Sequence, residues 1–208
     1  DLSRSLADLA DVFVSDAFGA AHRTHASTVG VPRLIRQRGG PVVAGALMAR
    51  ELHVLDDALR SPSRPFVAIM GGAKISGKID LIRAILPRVD RLLVGGVVAN
   101  TFLRALGVDT GDPLEGNDRV ELARELLEEA GDKLVLPVDS VVAEDLTMEA
   151  RTRPVDRTEI PPGVKIGDIG PRSREIFCSE VAQAATVFWN GPLGKFEIGP
   201  FSEGTFDV

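Results

Sequence analysis

At 208 residues the chain can hold one sizeable core or parts of two domains, and its 44% hydrophobic, 26% charged composition is that of an ordinary globular protein. The net charge of −6 excludes the basic footprint of a general nucleic-acid binder, and no apolar run approaches the roughly 18 residues a membrane span requires. A lone Cys178, expected to be a small apolar helix residue, cannot close an internal disulfide, and no leader pattern opens the chain; a cytoplasmic setting is predicted.

In chain order, "DVFVSDAF" predicts a short strand running into a loop, and "AAHRTHASTVGVP" continues as loop with Pro32 closing it. Between Ala17 and Arg50 there is no Asp or Glu, yet Arg23, Arg33, Arg36, Arg38 and Arg50 fall there. Such a segment suits a small, highly charged anion, with a solvated basic face as the alternative. His22 and His25 lack a nearby carboxylate or cysteine and make a poor metal set, so Arg23 forking onto a phosphate or carboxylate is the better reading. From Gly45 to Leu59, Met48, Leu52, Leu55 and Leu59 recur at helical spacing. Gly and Pro on both flanks make this helix a candidate connector between domains.

After Pro65, short apolar runs alternate with helical stretches. The predicted strands are "FVAIM", "RLLVGG", "KLVLPV", "SVVAE" and "TVFWNG"; the helices include 78–86, 118–130 and 171–184. This alternation predicts βαβ units on a mostly parallel sheet, with ligands beyond the carboxyl ends of the strands. Those ends are rich in glycine.

"GGAKISGKID" follows "FVAIM" and, from Gly72, spells G-x-x-x-x-G-K. A phosphate-binding P-loop then needs a Ser or Thr for magnesium, and Ile79 stands there. What remains is glycine that admits a ligand to the backbone, a following helix with free N–H groups, and Lys74 and Lys78 four apart on one helix face if the helix starts early enough. In "TVFWNGPLGKFE", a strand leads into a tight loop suited to lie against a flat base, and Glu197 can accept from ribose hydroxyls.

Taken together and in order, "DAFGAAHRTHASTVG", the connector helix, "GGAKISGKI", "VGGVVANTFL", "LPVD", "DIGP" and "WNGPLGKFE" resemble phosphoglycerate kinase over essentially the whole chain. The resemblance implies an α/β fold of two Rossmann-like parallel-sheet domains joined by a connector helix, both incomplete here. It implies the end of a substrate domain at 1–40, the connector at 41–64 and most of a nucleotide domain at 65–208. The implied activity is reversible phosphoryl transfer between 1,3-bisphosphoglycerate and ADP, giving 3-phosphoglycerate and ATP, by a monomer acting on small molecules without nucleic acid or membrane partners. The segment alone is expected to be inactive. A non-catalytic nucleotide-binding module is the alternative, and a P-loop hydrolase a third.

By the same resemblance, Arg23 and His22 hold the substrate, and Lys74 and Lys78 are the catalytic lysines that also grip nucleotide phosphate. Gly72, Ala73, Gly96, Gly167, Asn190, Gly191, Pro192 and Leu193 surround the nucleotide, and Glu197 binds its ribose. Magnesium is implied, with ligands outside this chain. Three positions depart from the family pattern near the expected base pocket: Val97, Ile166 with Gly167, and Lys195.

Overall fold

The computed structural model describes residues 2–73, 77–111 and 119–208. They fall into two units, Asp1–Ser61 and Pro62–Val208.

The first unit runs α1 (Leu2–Ala7), β1 (Phe13–Ser15), a 3-10 turn (Phe18–Ala20), a π turn (Ala26–Gly30), α2 (Val31–Gln37), β2 (Val42–Ala44) and α3 (Ala46–Arg60). Ala7, Val31 and Ile35 form its core, with Phe13, Leu34 and Val42 packed against it. The predicted strand in "DVFVSDAF" is β1, and it pairs in parallel with β2, Phe13 opposite Val42. Three residues are too few for alternation to show, which is why β2 was not foreseen. The expected loop ending at Pro32 is largely helical instead. Pro32 opens α2, where its missing N–H has no intrahelical partner to lose. The helix predicted over 45–59 is α3, and the Asp16 carboxylate accepts the Met48 N–H in its first turn at 2.8 Å.

In the second unit, β3 (Phe66–Met70), α4 (Ile79–Ile85), β4 (Arg91–Val94), α5 (Gly96–Ala105), α6 (Val120–Ala130), β5 (Leu134–Val135), β6 (Asp139–Ala143), β7 (Arg153–Asp156), β8 (Lys165–Ile169), α7 (Pro171–Ala182), β9 (Thr186–Asn190) and α8 (Glu203–Asp207) follow in order. Strands β5, β4, β3 and β9 lie side by side in that order, all parallel. Every side chain of β3 is buried, the condition that makes a parallel strand read as an unbroken apolar run. Val67, Ile69, Leu93, Ile169, Phe177 and Leu193 form one core cluster around it.

A separate sheet, β7-β6-β8, is antiparallel and was not foreseen. Its outer strands, "RPVD" and "KIGDI", carry proline, glycine and charge, so neither shows the apolar run that marks "FVAIM". Helix α4 starts at Ile79, not Lys78, and the expected start of α6 at Asp118 lies outside the described residues.

The "LPVD" and "DIGP" motifs meet at the head of α7. Asp139 is 4% exposed, and its carboxylate accepts the backbone N–H of Arg172 at 3.0 Å, that of Ser173 at 2.8 Å and the Ser173 hydroxyl at 2.6 Å. These are donors that a helix start leaves unpaired. A β-carbon on Gly170 would run into that carboxylate. Among the described residues no helix is long and apolar enough to cross a membrane.

Candidate functional site

Three turns at the carboxyl ends of β3, β4 and β9 are stitched together by backbone hydrogen bonds. The Gly71 N–H reaches the Asn190 carbonyl at 3.0 Å, the Gly96 N–H the Leu193 carbonyl at 2.8 Å, and the Val97 N–H the Gly72 carbonyl at 3.1 Å. Glycine is required at two of these places. Any β-carbon on Gly71 would meet the Pro192 carbonyl, and Gly96 has a φ of +61° with its missing β-carbon 2.9 Å from the Gly72 nitrogen. The β9 turn is further held by the Leu193 N–H on Thr205 at 3.1 Å, the Lys195 N–H on the Gly167 carbonyl at 2.8 Å and the Trp189 indole N–H on the Gly191 carbonyl at 2.8 Å.

Beside these turns lies a cleft of about 270 Å³. Of the residues expected to surround a nucleotide, Gly72, Ala73, Gly96, Gly167, Pro192, Leu193 and Glu197 line it; Asn190 and Gly191 do not. Val97, Ile166 and Lys195, the departures from the family pattern, line it too. Sequence reading missed Asn100, Ser140 and Asp168 in the same wall. Asn100 lies within "VGGVVANTFL" and Ser140 directly follows "LPVD", but both stand in apolar runs that gave them no role, so only the packing of α5 and β6 reveals them.

The lysine pair is placed differently from the expectation. Lys78 precedes α4 and does not lie on its face. Its ammonium donates to the Asn190 carboxamide oxygen, its stem passes 3.9 Å from where a Gly72 β-carbon would stand, and partial burial lowers its pKa from the usual lysine value. Lys74 lies outside the described residues. Ile79, at the position where a P-loop places its metal-binding hydroxyl, is 1% exposed and belongs to the core. The helix expected after Gly72 is α4, which a turn at residues 77 and 78 precedes, and residues 74–76 between Ala73 and that turn lie outside the described residues. The helix start that does abut the cleft, that of α5, already spends its first N–H groups on the Leu193 and Gly72 carbonyls.

Asp168, 3% exposed, ties the cleft loop to its surroundings. Its carboxylate accepts the Gly204 N–H at 2.7 Å and the Ile169 N–H at 2.8 Å, and a β-carbon on Gly194 would strike it. Burial raises its pKa to about 6, against the opposing pull of the two N–H groups and the Arg174 charge. The folded protein therefore holds this proton more tightly than the unfolded chain does. The resulting stabilisation is complete below the unfolded value of 3.8 and is lost as pH rises through about 6. Between pH 7 and pH 5 the group should add roughly 1 kcal/mol of unfolding free energy. Urea denaturation at both pH values should show that gain, and Asp168→Asn should remove it.

In the first unit, His22 and Arg23 are exposed, on the turn between the 3-10 and π segments. The Thr28 hydroxyl donates to the Arg23 carbonyl at 2.6 Å and so fixes that turn. Arg33 and Arg36 line a groove with Thr28, Val29, Pro32, Gln37 and Val42. Arg38 does not stand free for an anion: it donates to the Ala7 carbonyl at 3.2 Å and pairs with Asp8, a carboxylate from outside the acid-free segment.

A Rossmann-like parallel sheet with a cleft among glycine turns at the carboxyl ends of its strands defines the second unit as an α/β domain of the class whose ligand sites lie at that edge. The family model of phosphoglycerate kinase matches residues 1–208. Phosphoglycerate kinase of Rubrobacter xylanophilus is 53% identical over 198 residues, covering 95% of this chain and 49% of that protein. That of Enterococcus faecalis is 48% identical over 208 residues, covering 100% and 51%. Among solved structures, phosphoglycerate kinase from Coxiella burnetii superposes with a TM-score of 0.83 at 41% identity, over 99% of this chain and 53% of that one. The chain belongs to the phosphoglycerate kinase family, and it spans about half the length of the curated relatives it matches.

Proposed function

We propose that the chain carries the nucleotide site, and part of the substrate site, of a phosphotransferase that exchanges a phosphoryl group between 1,3-bisphosphoglycerate and ADP. The observation that carries this reading is the convergence of the β3, β4 and β9 turns on one cleft, with Glu197 in the wall and Lys78 passing Gly72 to reach Asn190 beside it. In this reading the base enters the cleft, Glu197 accepts from the ribose hydroxyls, and the phosphates extend toward Lys78 and Lys74. Asn190 holds the Lys78 ammonium beside Gly72 until phosphate oxygens replace the carboxamide as its acceptor. Arg23, with His22 beside it, grips the acidic three-carbon substrate, and α3 is the connector between the units. The proposed setting is the cytoplasm, as a monomer.

Phosphoryl transfer passes through a loose transition state, so alignment and charge neutralisation by lysine and arginine do the work and no protein nucleophile is required. Magnesium enters this scheme with the nucleotide, where it offsets charge on the phosphate oxygens. Among the described residues no group of three or more His, Cys, Asp or Glu side chains is arranged to hold a metal ion.

Calorimetric titration of the chain with ADP tests the reading. Binding is expected, and Glu197→Ala should weaken it by roughly 1 kcal/mol, or about fivefold. 2′-Deoxy-ADP should suffer less from that substitution than ADP does. Equal losses for the two nucleotides would remove Glu197 from the ribose, and absence of any ADP binding would remove the nucleotide reading itself.

A further inference from the structure

The cleft wall is graded in depth. Lys195 and Glu197 are exposed at its mouth, whereas Asn100 is 5% exposed and Ser140 2%. Neither the Asn100 carboxamide nor the Ser140 hydroxyl has a hydrogen-bond partner among the described residues. No side-chain polar atom fully shut off from solvent is unpaired among those residues, so the polar atoms of these two keep a little open surface. Both residues line the cleft and are otherwise enclosed, so that surface faces into it. Around them stand Val97, Leu103, Leu146 and Ile166.

An amide and a hydroxyl without protein partners, enclosed except toward the cleft, keep hydrogen-bonding capacity that water or a ligand can fill, and a ligand that supplies well-placed partners gains by displacing that water. The chemistry of that ligand is constrained. Charged phosphate would be desolvated among the apolar residues, whereas a flat neutral ring fits them. A carboxamide offers one donor face and one acceptor face side by side, and its complement is a ring edge with the opposite pair. Adenine presents such an edge in its exocyclic amine and the neighbouring ring nitrogen, the pairing asparagine makes with adenine elsewhere.

We propose that Asn100 reads the base of the bound nucleotide, accepting from the adenine N6 amine and donating to the adjacent ring nitrogen, while the Ser140 hydroxyl donates to a further ring nitrogen. The inference rests on the nucleotide reading of the cleft and adds to it a specificity for the base edge carried by two residues to which the sequence alone assigned no role.

The test titrates the chain with ADP and with purine riboside 5′-diphosphate, which differs from ADP only in lacking the N6 amine. The wild-type chain should favour ADP by about tenfold, the worth of one well-formed buried hydrogen bond. Asn100→Leu should abolish the preference while leaving the affinity for purine riboside diphosphate within about threefold of wild type. Its melting temperature should hold or rise, because an unpaired amide has been replaced by apolar volume. Asn100→Ala, which also removes the acceptor for the N6 amine, should likewise abolish the preference and serves as the second variant should the leucine variant not fold. Ser140→Ala should weaken both nucleotides about equally.

A wild-type chain that binds both nucleotides with equal affinity would overturn the base-edge assignment and leave the nucleotide reading in place. An Asn100→Leu protein that keeps the preference, or melts lower while keeping it, would show the amide to be structural and overturn it as well. Failure of the wild type to bind either nucleotide would overturn both readings.

Discussion

Asp139→Ala is expected to destabilise the second unit by about 3 to 5 kcal/mol, a large fraction of the roughly 5 to 15 kcal/mol that keeps an ordinary domain folded. The carboxylate receives the two leading N–H groups of α7 and the Ser173 hydroxyl while only 4% exposed. Alanine would strand the two N–H groups where water reaches poorly and leave the Ser173 hydroxyl only the residue-139 carbonyl, 3.0 Å away, as acceptor. The Ser173 hydroxyl also accepts the Val138 N–H at 2.9 Å and the Asp139 N–H at 3.1 Å, so losing its anchor loosens the entry to β6 as well. Asn in place of Asp should recover part of the loss, since one oxygen can still accept. Circular dichroism with chemical denaturation measures the difference. A loss below about 1 kcal/mol would mean that the α7 start is satisfied by other means.

The second large effect concerns turnover. In a protein of the length of the curated relatives, Lys74→Ala is expected to lower kcat by about a hundredfold or more, because in the proposed scheme it removes a charge that neutralises the transferring phosphoryl group. Lys78→Ala should be milder if its ammonium grips the phosphates equally in ground and transition states, appearing chiefly in KM. Lys78 is already engaged by Asn190, so Asn190→Ala should partly reproduce the KM effect while leaving kcat near wild type. Wild-type kcat in the Lys74→Ala enzyme, measured in a coupled assay, would end the catalytic assignment.

Much of the fold was legible because buried parallel strands write themselves plainly. "FVAIM" and "RLLV" are runs whose residues are almost all enclosed, and the sequence has no other economical use for them. The glycine turns were legible for the complementary reason: Gly71 and Gly96 occupy places where a β-carbon meets backbone, a constraint local enough to leave a residue-type signature. The antiparallel sheet left no such trace, because β7 is half-exposed, β8 is broken by glycine and charge, and their partners are set by register, with a shift between Val141 and Val142 that no periodicity announces. Arg38 shows the same limit in charge. A segment without carboxylates looks unbalanced along the chain, but folding brings Asp8 to it from 30 residues away. Asn100 and Ser140 were illegible because a polar residue in an apolar run is ordinary, and only burial without a partner makes it informative. Asp168 was quoted within "DIGP", yet its function as a tether of Gly204 depends on α8, a contact across 36 residues.

The bond from the Trp189 indole to the Gly191 carbonyl gives the cleft loop an optical address. The chain contains one tryptophan and no tyrosine, so near-ultraviolet emission excited at the indole band comes from this ring alone. The ring is 39% exposed and its N–H is fastened to the turn that carries Pro192 and Leu193 into the cleft wall. Any event that shifts the turn alters the polarity and hydrogen bonding of the indole without a label, a mutation or a second signal to subtract. The molecule thus carries its own single-site fluorophore at the edge of the site whose occupancy matters most.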